Sequence, residues 1–309
     1  MTDIREGAPT ASANTATRLA PRGLVLGLSV LGGLAVAILW SARLVDDDIG
    51  VNTANGILGA HGTTATTTVA GLVVAFVTGL AGTFTACNVA VFSAIAPMVE
   101  SRPTAAGRLR QALRPLGWLT LGAVVVAGGY GAIGAVIGDR IPQLSGAVVD
   151  GDIPVRTLQS ITVFGVIGIV LLYLGLAELR LVPDVLGSLA ARYPAARQLV
   201  MGALIGGFLI GRPWPLFRQM FANAASTHNA LYGAAAFVLV VVGNMVVMSV
   251  LFLILSFSRF PAWLRRTESR VATVTAAALL VGGTFTFAYW ALRVPANLGI
   301  GWFPPAPWH

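Results

Sequence analysis

Long apolar runs alternate with short polar stretches along the whole chain, and most of the runs match the roughly 20 residues that a membrane-crossing helix needs. Ordinary runs occupy residues 23–42, 115–138, 157–182, 229–257 and 271–292, and each predicts one transmembrane helix. Two further apolar stretches are irregular. Residues 66–99 carry no formal charge and would form a straight helix about 50 Å long, well beyond a hydrocarbon core of about 30 Å. Gly79, Gly82, Thr83 and Thr85 fall in its middle, where they weaken continuous helix, and Cys87 follows them. The second stretch begins at Gln198. Arg212 comes about 21 Å along it, and Pro213 and Pro215 then stop regular helix within a turn. Both stretches read as transmembrane segments with a break inside. Irregular backbone at that depth is tolerated only where protein or a watery cavity surrounds it.

Composition strengthens the membrane reading. Charged residues make up 10% of the chain and apolar ones 56%, with a mean hydropathy of +0.80, whereas a soluble domain carries about a quarter charged residues. The net charge of +8 comes from 20 arginines, with no lysine. These arginines fall in short stretches between apolar runs, which is an orientation signal and not a nucleic-acid footprint. Arg18 and Arg22, Arg108 to Arg114, Arg192 and Arg197, and Arg265 to Arg270 all come out on one side if the chain makes seven spans. The N-terminus then lies inside and the C-terminus outside. All-arginine basic usage with abundant Ala, Gly and Val suggests a high-GC bacterium, hence the bacterial cytoplasmic membrane. One cysteine excludes an internal disulfide, and no Cys/His spacing resembles a zinc site. No dinucleotide fingerprint or phosphate loop is present, so the sequence implies neither a metal nor a cofactor.

The expected organisation follows. Residues 1–22 have the composition of a disordered cytoplasmic tail. Residues 23–42 form an extra N-terminal transmembrane helix; a signal peptide is the competing reading, but the run ends without a clear A-x-A site. Residues 43–65 make an extracytoplasmic loop, whose Asp46, Asp47 and Asp48 read as a solvated face before a cation site. Residues 66–182 and 198–292 are two three-helix repeats joined by a cytoplasmic loop at 183–197, and 293–309 is an outer tail. Because each repeat has three spans, the two insert with opposite orientation. The expected class is therefore all-α: a polytopic membrane protein with one extra helix and two inverted repeats, each opening on a broken helix. Broken helices at matching positions of inverted halves point to a central site. That site would join Cys87 and Asn88 of the first half to Arg212, Pro213, Trp214 and Pro215 of the second, with Asn244 nearby.

The stretches GLAGTFTACNVAVF, GGYGAIGAVIG, GIVLLYLGLAEL and GALIGGFLIGRPWPLF resemble the CcdA/DsbD transmembrane family of cytochrome c biogenesis and thiol reduction. The resemblance covers roughly residues 66–292. It implies one cysteine in each broken segment, commonly flanked by prolines, exchanging with thioredoxin inside and a substrate protein outside. Only the first cysteine carries over, onto Cys87. Its flanking prolines are Ala86 and Ala90 here, and Trp214 stands where the second cysteine would fall.

Three functions compete. In the first, Cys87 is the catalytic thiol of a thiol–disulfide oxidoreductase whose partner, a thioredoxin-like or other thiol-bearing protein, supplies the resolving thiol. In the second, the same scaffold is a transporter: Arg212 favours a small anion, while Cys87 with methionines favours a soft metal. Met245 and Met248, at helical spacing, read first as core residues. In the third, the chain is a non-catalytic assembly subunit on the same fold.

Overall fold

The computed structural model describes residues 22–41, 51–58, 67–81, 105–149, 153–212, 215–257 and 268–306. The described part is all-helical. Its helices are α1 (Arg22–Leu39), α2 (Asn52–Leu58), α3 (Thr68–Ala81), α4 (Ala105–Ile137), α5 (Val155–Glu178), α6 (Val185–Arg192), α7 (Ala196–Gly211), α8 (Pro215–Thr227), α9 (Ala230–Phe257), α10 (Glu268–Phe287) and α11 (Val294–Asn297). A 3-10 turn at Gly138–Arg140 follows α4, and a π-helical turn at Ala288–Arg293 joins α10 to α11. The two-residue strands β1 (Val148–Val149) and β2 (Ile153–Pro154) close a short antiparallel hairpin ahead of α5.

Five of the described helices are long and apolar enough to cross a membrane: Arg22–Leu39, Leu113–Arg140, Val155–Glu178, Ala230–Val250 and Ala272–Asn297. The chain is a multi-pass membrane protein. Two shorter apolar helices, α3 and α7, have 14 and 16 residues, so they reach about 21 and 24 Å and fall short of a full crossing.

Local signals set the helix starts. The Thr67 hydroxyl accepts from Ala70 N–H at 3.2 Å, Asp184 Oδ1 from Gly187 N–H at 2.7 Å, and Asn229 Oδ1 from Leu231 N–H at 2.9 Å. Each side chain satisfies an amide that the first turn leaves without a partner. At the far end of α5 the chain turns through Arg180, whose φ of 57° is the left-handed value. Arg180 N–H then bonds Ala177 O, and Leu181 N–H bonds Leu176 O, closing the helix end in a double-bonded cap.

The sequence places 100–114 in a loop, but α4 begins at Ala105 and carries Arg108, Arg110 and Arg114 on helical turns. Likewise, 183–197 holds the short helix α6. The loops fold because each has a helix-compatible run, and the charge only keeps it out of the hydrocarbon.

Packing is dominated by a few close crossings. Helix α3 lies on α9, α4 on both α7 and α9, α5 on α10, and α1 on α10. Glycine is required where backbones touch. A methyl group on Gly79 would collide with the Val240 carbonyl, and one on Gly202 with the Leu119 carbonyl. One apolar cluster joins the helices, with Leu119, Leu171, Phe217, Met220, Phe237 and Leu279 among its most buried members.

Candidate functional site: the break after helix α7

Helix α7 ends at Gly211 for reasons written in the sequence Gly-Arg-Pro-Trp-Pro. Arg212 has φ −82° and ψ 113°, the extended conformation that a following proline imposes by clashing with helical backbone. Helix α8 restarts at Pro215, the first-turn position where a missing N–H costs nothing. A continuous helix would pair the Leu209 carbonyl with residue 213 and the Gly211 carbonyl with residue 215. Both are prolines and have no N–H to give. The last carbonyls of α7 must therefore find other donors.

Side chains from two other elements meet the last two of these carbonyls, Ile210 O and Gly211 O. Gln143 Nε2 donates to Ile210 O at 2.5 Å, and Gln159 Nε2 donates to the same oxygen at 3.0 Å. The Ser160 hydroxyl reaches Gly211 O at 2.5 Å and Arg156 O at 2.9 Å, so its one proton is shared between them. The second proton of Gln159 Nε2 goes to the Tyr130 hydroxyl oxygen at 2.8 Å. Ser160 and Gln143 are fully buried, at 0% and 2% exposure. Gln159 Oε1 is buried as well and accepts no hydrogen bond.

The break has an aromatic floor. Phe164 lies against Gly211, where a Cβ would approach its ring to 2.9 Å. The half-buried Arg212 guanidinium sits over the Phe217 ring, 5.1 Å from its centroid, within the range of a cation–π contact. Tyr130 meets Phe221 and Phe237 edge-on at 5.6 and 5.9 Å.

Depth follows from the partners. Gln159 is one turn into α5, about 6 Å from its start, and Tyr130 is about 10 Å before the end of α4. The break thus lies in the third of the bundle nearest the β hairpin. At the opposite end of α5, Glu178 pairs with Arg197 at the start of α7. Arg180 is near Glu178 in the chain, but the left-handed turn at Arg180 ends α5, and Glu178 pairs with the start of α7.

Of the residues singled out from the sequence, Arg212 stands at the break. Asn244 lies on α9 beside Gly243, at the crossing with α3, and Pro215 opens α8. Cys87, Asn88, Pro213 and Trp214 lie outside the described residues, as does the side chain of Pro215. Met245 and Met248 are buried in the hydrophobic core. Among the described residues no three His, Cys, Asp or Glu side chains group as metal ligands.

Sequence reasoning passes over Tyr130, Gln143, Gln159 and Ser160. The available signal was the polar pair Gln159-Ser160 inside the apolar run of α5, an expensive placement unless something there needs hydrogen bonds. Comparison with protein-family models, curated proteins and solved structures finds no match to this chain.

Proposed function

We propose that the chain is an inverted-repeat protein of the bacterial cytoplasmic membrane, similar to the CcdA/DsbD family, in which Cys87 carries thiol–disulfide exchange between two partner proteins. The observation that carries this reading is the break at Gly211–Arg212, whose freed carbonyls are met by three dedicated side chains. Such provision marks a constructed interruption of a membrane helix, the kind that frames central sites in inverted repeats.

The helix crossings support the repeat. Helix α3, first in one half, meets α9, second in the other, through Gly79 and Gly243; α7 meets α4 through Gly202 and Gly122 in the same relation. Helices α4 and α9 meet at Gly131 and Gly233, and α5 and α10 at Gly168 and Gly283. Exchanging the halves turns each crossing into its counterpart. With the arginine-rich stretches inside, the break faces the outer half of the bilayer.

The exchange balances without a second cysteine in the chain. The Cys87 thiolate attacks a partner disulfide, a mixed disulfide forms and one partner thiolate leaves. A thiolate of a reduced thioredoxin-like protein then attacks the Cys87 sulfur and releases the first partner as a dithiol; its second thiolate attacks the new mixed disulfide, closes the thioredoxin-like protein's own disulfide and releases the Cys87 thiolate. The first partner gains the two electrons that the second loses. Arg212, if it shares the pocket, stabilises the Cys87 thiolate.

Arg212 over Phe217 favours a second reading, passage of a small anion through the break. Acid trapping of thiols in intact membranes separates the two. The thiol reading expects a mixed disulfide that vanishes in Cys87→Ser; a chain that traps no partner, and whose anion flux survives Cys87→Ser, supports the second reading instead.

A further inference from the structure

Helix α10 does not run straight into α11. At Ala288–Arg293 it widens into a π-helical turn, a rare geometry that concentrates at functional sites. In an α-helix, residues three apart share a face; the wider turn spreads them. Trp290 and Arg293 accordingly reach two different neighbours.

Arg293 Nη1 donates to Ala37 O at 2.7 Å and to Trp40 O at 2.8 Å, the carbonyls at the C-terminal end of α1. That end is where carbonyls lack helical partners and where a cation is favoured by the helix dipole. The same guanidinium lies 5.3 Å from the Tyr289 ring centroid. Around it, Trp40 packs on Phe285 at 4.9 Å, and a Cβ on Gly33 would come within 2.6 Å of Thr284 Cβ.

Trp290 stacks on Phe164 of α5, with centroids 4.4 Å apart and planes 23° from parallel, and meets Tyr289 edge-on at 5.3 Å. Phe164 is 2% exposed and occupies the space a side chain at Gly211 would need. Gly211 is the residue before Arg212.

We propose that the π-helical turn is a double clamp: Arg293 docks the N-terminal helix α1, and Trp290, acting through Phe164, holds the wall of the break, so that α1 positions the site. Arg293, Trp290 and Phe164 are positioning residues. The inference rests on the break being the functional site. A dense core transmits such a displacement because it has no slack to absorb it.

The test uses the full chain in membranes with Cys87→Ser as background. Gly32→Cys with Val281→Cys reports docking of α1, since a Cβ on Gly32 would lie 3.7 Å from a Val281 methyl. Arg212→Cys, labelled by a maleimide, reports the openness of the break. Removing two charge-assisted bonds in Arg293→Ala should lower the disulfide yield roughly fivefold and raise the labelling rate by a similar factor. Arg293→Lys, which keeps a cationic donor, should fall between and keeps the test readable if the alanine variant does not accumulate. Trp290→Leu should raise labelling and leave the disulfide intact. An unchanged disulfide yield in Arg293→Ala, or a fallen yield with unchanged labelling, overturns the proposal. Neither readout depends on thiol exchange, so loss of mixed-disulfide trapping and loss of the clamp are told apart.

Discussion

The Ser160 hydroxyl, one turn into α5, lies 2.5 Å from the Gly211 carbonyl, the last of α7. That contact joins two helices at the point where one of them has been interrupted, and it replaces the backbone bond that Pro215 cannot give.

Ser160→Ala should therefore cost about 1–3 kcal/mol of stability, the penalty for a buried acceptor left without a donor. Thermal unfolding of the purified chain in detergent measures it. A shift no larger than that of Thr162→Ala, an exposed hydroxyl bonded within its own helix, would contradict the capping role.

Gln143 and Gln159 share one acceptor, Ile210 O. Gln143→Leu should be mild because Gln159 still satisfies that carbonyl. The double variant with Gln159→Leu should lose more than the two single losses added together, by roughly 1 kcal/mol or more. Additive losses, read in the same unfolding assay, would show that the two amides act separately.

The glycine crossings make a paired prediction. Gly79→Ala drives a methyl group into the Val240 carbonyl and should cost about 1–3 kcal/mol. Gly129→Ala meets no neighbour within 4 Å and should be neutral or stabilise α4 by up to about 1 kcal/mol. Equal effects would remove the argument for backbone contact between α3 and α9.

The Arg197–Glu178 pair is partly exposed, with 27% and 19% of the two side chains accessible, so Glu178→Gln should cost only about 1 kcal/mol. Reversing both charges should recover most of that loss if pairing, and not either charge alone, ties the start of α7 to the end of α5.

How much of this was legible in the sequence divides by range. The break at Arg212 was, because Pro213 and Pro215 act on the backbone within a turn of themselves. The five uninterrupted spans were too, since hydrocarbon thickness fixes their length, whereas α3 and α7 are shorter than a full crossing. The partners of the break were not. Gln143 and Gln159 lie dozens of residues from Ile210, and only packing brings their amides to its carbonyl and the Tyr130 hydroxyl to Gln159. Glu178 shows the same limit: its neighbour in sequence, Arg180, is carried off by a left-handed turn, and Arg197 arrives from the start of α7. Arg293 reads as part of an outer tail, yet it caps a helix 253 residues earlier in the chain.

The proposed function requires that the break after α7 meet the segment that carries Cys87. Trp214→Cys places one added thiol at the second break, with the native Cys87 as its only possible partner in the chain. After mild oxidation in membranes, the expected result is an intramolecular disulfide: both thiols lost to maleimide, and both restored by reductant. Two thiols that stay labelled after oxidation, in a chain that still folds, would place the breaks apart and contradict a shared site.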